Sequence, residues 1–177
     1  MKGVPLQLNN FIKHKDVRKL IWQLLDGIDR EIIRCAHNLQ RPVFVTFRLD
    51  VIAGRGHLNL AQWALANGAG WTTWICAASA EGGHLDVLQW ARANNCPWDE
   101  RTCSWAARGG HLDILKWARE NGAPWDTWTC SYAAYGGHLE TLMWLISNGA
   151  PWNAKTYAWI LENCDTEITQ WARANMM

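Results

Sequence analysis

The stretch that decides the fold is GHLDILKWARENGAPWDTWTCSYAAYGGHL, residues 110–139. It begins and ends with the triplet Gly-His-Leu, and the two copies start 27 residues apart, at Gly110 and Gly137. The same triplet starts at Gly56 and Gly83, so the step of 27 residues occurs three times in succession. A constant period of this size is typical of arrays in which one small structural unit is repeated.

The Trp residues follow the same period. Trp accounts for 14 of the 177 residues, and nine of the 14 fall in two columns with a step of 27. The first column is Trp63, Trp90, Trp117, Trp144 and Trp171, and the second is Trp71, Trp98, Trp125 and Trp152. Because these positions do not change between units, we predict that packing fixes them and that Trp117 and Trp125 are largely buried.

Each unit is predicted to contain two helices. In the segment 111–120 the polar residues Asp113, Lys116 and Arg119 are three apart, and apolar residues fill most of the other positions. This spacing predicts a helix that is buried on most of its circumference. Gly122 follows as a C-terminal stop, since glycine readily adopts the left-handed conformation that ends many helices.

A second, shorter helix is predicted from Asp126, whose side chain can cap the helix N-terminus, through Ala134. Gly136 and Gly137 end this helix and allow a sharp turn into the next unit. Neither helix can bury its apolar face alone, so the units must stack on one another. The predicted fold class is therefore all-α, a helix-turn-helix solenoid.

Composition limits the classes of function. Lys and Arg total 17 and Asp and Glu total 16, so the formal charge of +1 gives no general attraction for nucleic acid or a membrane surface. No apolar run reaches the roughly 18 residues of a membrane-spanning helix, and residues 1–10 do not resemble a secretory leader. We therefore expect a soluble cytoplasmic protein with reduced Cys residues and with no nucleic-acid or membrane partner.

The repeat resembles the ankyrin family. The stretch TCSYAAYGGHLETL, residues 129–142, followed by Asn-Gly-Ala at 148–150, is similar to the ankyrin pattern TPLHxAAxxGHLEVV followed by xxGA. It departs from that pattern at Cys130, Ser131 and Trp144, and its period of 27 is shorter than the family's, which is about 33. The missing residues fall where ankyrin units carry a β-hairpin finger, which implies shortened hairpin loops.

The resemblance implies about five ankyrin-like repeats over residues 42–177, with irregular first and last repeats acting as caps. It also implies a binding scaffold with no catalytic site and no cofactor. Short Trp-rich units of this kind are similar to those abundant in large DNA viruses of amoebae. A viral origin would make a host protein the partner and the host-cell cytoplasm the location.

Residues 1–41 stand outside the array, and their apolar residues at helical spacing predict an N-terminal helical cap. The sequence LDGIDR, residues 25–30, followed by Cys35, resembles the second half of an F-box. That resemblance implies docking to a Skp-type subunit of a cullin ubiquitin ligase. The first alternative function is therefore a substrate adaptor of such a ligase.

The recurring Cys and His residues suggest a zinc site, since Cys76, Cys103 and Cys130 each precede a His by eight residues. Equivalent residues of successive units are one helix layer apart, roughly 8–10 Å, whereas zinc ligands lie about 2.3 Å or less from the ion. We therefore predict no metal site and small buried thiols. The metalloprotease, nucleophile-elbow and phosphate-loop motifs are missing, so no catalytic residue is predicted. An enzyme of unrecognised type is the second alternative.

Three positions of the shorter helix vary freely between units. They form the series Trp74, Arg101, Trp128, Lys155; the series Ala78, Trp105, Tyr132, Trp159; and the series Glu81, Arg108, Tyr135, Glu162. Within a unit they lie at i, i+4 and i+7, hence on one face of the helix. A core face would not alternate between Trp, Arg and Lys, whereas aromatic and Arg side chains are typical of interface hot spots. For the middle series, packing between neighbouring short helices is an equally open alternative.

We therefore predict that this protein is an interaction scaffold that binds a partner protein through its short-helix face, which is the concave side in the ankyrin family. The predicted binding residues are Trp74, Glu81, Arg101, Trp105, Arg108, Trp128, Tyr132, Tyr135, Lys155 and Trp159.

Overall fold

The computed structural model describes residues 48–66, 68–164 and 166–175, and within these residues every regular element is an α-helix. The helices are α1 Leu49–Gly54, α2 Leu58–Ala66, α3 Thr73–Glu81, α4 Leu85–Ala93, α5 Glu100–Gly109, α6 Leu112–Glu120, α7 Thr127–Tyr135, α8 Leu139–Ser147, α9 Ala154–Asn163 and α10 Thr166–Asn175. The all-α prediction is confirmed for these residues. The predicted N-terminal cap and the F-box-like segment lie outside them.

The helices form two alternating sets, which we name the A helices (α1, α3, α5, α7 and α9) and the B helices (α2, α4, α6, α8 and α10). Each A helix contacts the next A helix along the chain, and each also contacts the B helix that follows it. Contacts between elements are therefore made mainly by sequence neighbours one or two helices apart. This order keeps equivalent positions of α3, α5, α7 and α9 next to one another.

The A helices are the predicted shorter helices, but α3, α5, α7 and α9 are not shorter than the B helices that follow them. Helix α7 and helix α6 each have nine residues, and α5 has ten. The prediction began α6 at His111, but His111 lies at the N-cap position and the helix begins only at Leu112. The predicted difference in length was therefore wrong.

The predicted N-cap at Asp126 and the predicted helix stop at Gly122 are confirmed. The Asp126 carboxylate accepts hydrogen bonds from the backbone N–H groups of Trp128 (3.1 Å) and Thr129 (3.2 Å) at the start of α7. Gly122, just after α6, has a φ of +85°, which favours glycine. The equivalent residue of the preceding unit is Asn95, and it adopts a φ of +62°, a conformation that Asn tolerates better than most residues.

The core between the helices consists of small and aliphatic side chains. Fully buried residues include Cys103, Ala107 and Leu115. The predicted burial of Trp117 and Trp125 holds only in part, because both indoles are partly buried and pack against this core from its edge. Helix layers roughly 8–10 Å apart leave room between them for Ala and Cys but not for a whole indole.

Successive units are joined by histidine side chains. The Nε2–H of His111 donates to the carbonyl oxygen of Glu81 (3.0 Å), and that of His138 donates to the carbonyl oxygen of Arg108 (3.0 Å). Each bond therefore connects the start of a B helix to the A helix of the preceding unit. The His138 ring also lies against Gly110, where an added Cβ would come within 2.5 Å of the ring. The repeated Gly-His pair thus provides the same link at these two junctions.

None of the helices in the described segments has the length and hydrophobicity that a membrane span requires.

Candidate functional site

The variable positions of the A helices form a continuous row of aromatic rings. The Trp105 ring on α5 lies between Trp74 on α3, with ring centroids 6.2 Å apart, and Tyr132 on α7, with ring centroids 6.1 Å apart. The Trp105 and Tyr132 rings are stacked, with an angle of 20° between their planes. The middle series therefore packs between neighbouring A helices, as the alternative interpretation of that series expected. Its rings remain only partly buried, so their edges still contribute to the surface.

The outer positions present large apolar side chains to solvent. Trp74 is 46% exposed, Trp128 is 60% exposed and Tyr135 is 58% exposed. Exposed aromatic side chains that share one face are uncommon on proteins without a partner and mark interaction surfaces. We name the surface formed by the variable positions of α3, α5, α7 and α9 the aromatic face.

Two arginines lie over the rings of the aromatic face. The guanidinium of Arg101 is 4.4 Å from the ring centroid of Trp74, and the guanidinium of Arg108 is 4.9 Å from that of Trp105. Arg108 also lies 5.6 Å from the ring centroid of Tyr135. These cation–π contacts hold the arginine side chains flat against the surface. The arginines therefore already have partners within the aromatic face itself.

Carboxylates from neighbouring positions pair with both arginines. Arg101 forms an ion pair with Asp99 (2.5 Å) and donates a hydrogen bond to the hydroxyl of Thr73 (3.1 Å), while Arg108 pairs with Glu81 (3.1 Å). Partial burial alone would raise the pKa of Asp99, but the hydrogen bonds from Arg101 outweigh it and lower that pKa. The charges of the aromatic face are thus largely balanced within it.

A cleft of about 300 Å³ lies on the aromatic face where α5, α7 and α9 meet. Its lining residues are Arg108, Trp128, Ser131, Tyr132, Tyr135 and Trp159. Two tilted pairs of rings form much of its wall: Trp128 with Tyr132, whose centroids are 6.4 Å apart, and Tyr135 with Trp159, whose centroids are 5.8 Å apart. Five of the six lining residues belong to the predicted binding set, and we name this feature the aromatic cleft.

The structure brings nine of the ten predicted binding residues into one connected network of ring, cation–π and ion-pair contacts. The exception is Lys155, which is exposed in the first turn of α9 and has no such contact with the others among the described residues. Sequence reasoning missed Asp99, Thr73 and Ser131. A signal existed for Asp99, because it lies one period of 27 before Asp126, which the sequence identifies as a helix cap.

The Trp residues of the two invariant columns make a second set of aromatic and cationic contacts. Trp98 lies 6.1 Å from Trp117, and Trp125 lies 6.3 Å from Trp144, measured between ring centroids. The Arg119 guanidinium is 3.9 Å from the Trp125 ring centroid. These contacts repeat with the period of the chain, unlike those of the aromatic face. Such uniform contacts are what packing between units requires, so we assign these residues to stability.

The repeated Cys and His residues have structural roles within and between units. Cys76, Cys103 and Cys130 are buried in the core, whereas the His111 and His138 rings bond to backbone carbonyls of the preceding unit. The described residues contain no group of three or more His, Cys, Asp or Glu side chains arranged to hold a metal ion. That no metal binds remains a prediction.

Burial raises the pKa of the Cys103 and Cys130 thiols to about 12, because the thiolate would lose its hydration in the apolar core. At pH 8 both thiols therefore stay protonated and unreactive. We expect iodoacetamide to label the partly exposed Cys164 of the folded protein much faster than Cys103 or Cys130, as mass spectrometry of peptides can measure. Labelling in urea should remove the difference. Equal rates in the folded protein would contradict the assignment of these thiols to the core.

Comparison of the chain with known protein families and with curated proteins found no match.

Proposed function

We propose that this protein is an ankyrin-type solenoid scaffold, without enzymatic activity, that binds a partner protein through the aromatic face. The observation that carries this proposal is the combination of three exposed aromatic side chains with arginines held in place by cation–π contacts. Trp, Tyr and Arg are the residues that dominate binding energy at protein interfaces. Side chains ordered before binding lose little conformational entropy when a partner docks.

The sequential packing of the helices supports the solenoid part of the proposal. Each A helix contacts the A helices before and after it, so the variable positions of successive units add up to one surface. Variation at these positions changes the surface while leaving the buried Ala, Cys and Leu positions unchanged. A scaffold built in this way can bind a protein without a deep pocket. We further propose a cytoplasmic location, with a host protein as partner if the chain is viral.

The test is an affinity purification with the wild-type chain and two matched variants. The first variant carries Arg108→Ala, Trp128→Ala and Tyr135→Ala, and the second carries Asp113→Ala and Lys116→Ala at exposed positions of α6. We expect the first variant to lose the partner while its helical circular-dichroism signal stays intact, and the second variant to retain it. Among the three single substitutions, one or two should each weaken binding by about 2 kcal/mol or more.

If the triple variant still binds the partner but Lys116→Ala does not, the binding site lies on the B helices and the proposal is wrong. Mass spectrometry of the same purified material also addresses the alternative function suggested by residues 25–30. A Skp-type subunit that is retained by the triple variant would identify the chain as a ligase adaptor. In that case the aromatic face would remain the site for the adaptor's substrate.

A further inference from the structure

Two buried cysteines lie side by side in one unit of the array. Cys76 lies in α3, and Cys96 lies in the loop between α4 and α5. The Cys96 Sγ is 3.5 Å from the carbonyl oxygen of Thr72, the N-cap residue of α3, and Cys76 follows about one turn along that helix. The two thiols share a hydrogen bond, and both residues are fully buried.

The other units carry at most one of these two cysteines. Cys103 and Cys130 occupy the position of Cys76, one and two periods later. The position of Cys96 is an alanine in the other units: Ala69, Ala123 and Ala150. In the next unit the Cys103 Sγ lies 4.0 Å from the carbonyl oxygen of Ala123, so the two positions are neighbours there as well. The repeat therefore brings these positions together, and one unit fills both with a thiol.

The shared hydrogen bond makes the two thiols chemically different. The Cys96 S–H donates to the Cys76 sulfur, which lowers the pKa of Cys76 despite its burial. The same bond, together with burial, raises the pKa of Cys96. Cys103 has Ala123 in place of a second thiol, and burial raises its pKa to about 12. Because the thiolate is the reactive form of cysteine, Cys76 is a better nucleophile than Cys103.

The loop that carries Cys96 offers a route to these thiols. Asn95 and Pro97, on either side of Cys96, are exposed, so a small opening of the loop uncovers the pair. Asn95 has a φ of +62°. The equivalent residues of the other units are glycines: Gly68, Gly122 and Gly149. Since asparagine adopts a positive φ less readily than glycine, this loop opens at a lower cost than its equivalents.

We infer that Cys76 and Cys96 form a redox site, in which hydrogen peroxide converts the two thiols into a disulfide between α3 and the loop before α5. The Cys76 thiolate attacks one peroxide oxygen, the O–O bond breaks, and the other oxygen leaves as hydroxide and takes up a proton to form water. The Cys96 sulfur then attacks the sulfur of the Cys76 sulfenic acid. The S–S bond forms, the S–O bond breaks, and the oxygen leaves with the Cys96 proton as a second water.

The disulfide would join two elements that build the aromatic face. Cys76 shares α3 with Trp74, and Cys96 lies shortly before Arg101, whose guanidinium is 4.4 Å from the Trp74 ring centroid. Oxidation therefore adds a covalent link beside this cation–π contact. The inference concerns the chemistry of the thiols and holds whether or not the aromatic face binds a partner.

The experiment treats the full chain with hydrogen peroxide, alkylates the remaining thiols with iodoacetamide in urea and digests the protein with trypsin without reduction. Trypsin separates residues 56–92, which contain Cys76, from residues 93–101, which contain Cys96. Mass spectrometry should find these two peptides joined, and dithiothreitol should separate them. We expect Cys76 to be oxidised at least about 10-fold faster than Cys103 or Cys130.

The matched control is Cys96→Ala, because alanine is the residue that other units carry at this position. Its helical circular-dichroism signal should equal that of the wild type. The joined peptides should be absent, and Cys76 should be oxidised at a rate within about 2-fold of that of Cys103, since the hydrogen bond that lowers its pKa is gone.

Three results would overturn the inference. The first is the absence of the joined peptides, or their formation no faster than the oxidation of Cys103. The second is a disulfide that joins Cys76 mainly to a cysteine other than Cys96. The third is oxidation of Cys76 at the same rate in the wild type and in Cys96→Ala, which would show that the second thiol does not activate the first.

Discussion

We expect Gly136→Ala to lower the free energy of unfolding by about 3 kcal/mol. Gly136 follows α7 with an ordinary φ of −73°, so the backbone conformation itself would accept alanine. The added Cβ, however, would overlap the carbonyl oxygen of Arg108 and come within 2.6 Å of the His138 ring. That carbonyl is the acceptor of the His138 hydrogen bond. The methyl group would therefore force α5 and α7 apart and break the link between their units.

The matched control for Gly136→Ala is Gly70→Ala. A Cβ on Gly70 would meet no atom within 4 Å. Its substitution should leave the stability unchanged or raise it by about 0.5 kcal/mol, because alanine reduces the freedom of the unfolded chain. Urea unfolding followed by circular dichroism measures both variants. Equal midpoints for the two variants would show that close contact between units does not limit stability.

Trp125→Ala should lower the free energy of unfolding by about 3 kcal/mol, since an indole packed against a core removes 100 Å² or more of apolar surface from water at about 25 cal/mol/Å². The substitution also removes the ring contact with Trp144, at 6.3 Å between centroids, and the cation–π contact with Arg119, at 3.9 Å. Differential scanning calorimetry or urea unfolding would measure the loss.

Trp152 provides the comparison, because it lies one period after Trp125 in the same column. It is 38% exposed, and it has no ring contact with another aromatic residue among those the structure describes. Trp152→Ala should therefore cost less than about 1 kcal/mol. If Trp125→Ala and Trp152→Ala lower the free energy of unfolding equally, position in the column matters more than burial. The packing assigned to Trp125 would then be wrong.

The positions of the helices could be predicted from the sequence because local chemistry determines them. Asp126 can cap only the helix that follows it, and Gly122 and Gly137 favour the left-handed conformation that ends a helix. The predicted face of the A helices also follows from local geometry, since residues at i, i+4 and i+7 share one side of any α-helix.

The burial of the Trp side chains and the contacts between units could not be predicted. They depend on distances between helices, which the spacing of residues along one chain does not give. The partial burial of Trp117, the pairing of Arg108 with Glu81 and the stacking of Trp105 on Tyr132 all join neighbouring units. The role of His138 was hidden for the same reason, because its acceptor lies 30 residues earlier. Sequence alone identified the repeated histidine but not the carbonyl that it contacts.

The histidine link has a consequence for how such a chain can evolve. His111 and His138 each bond to the A helix of the preceding unit, where Glu81 and Arg108 offer the same kind of carbonyl. A duplicated segment of 27 residues, inserted in frame between two units, would place its histidine next to a carbonyl of the preceding unit. It would also supply a carbonyl for the histidine of the following unit. Gain or loss of whole units therefore creates no new type of interface. The length of the recognition surface can change by genetic duplication while the junctions between units stay the same.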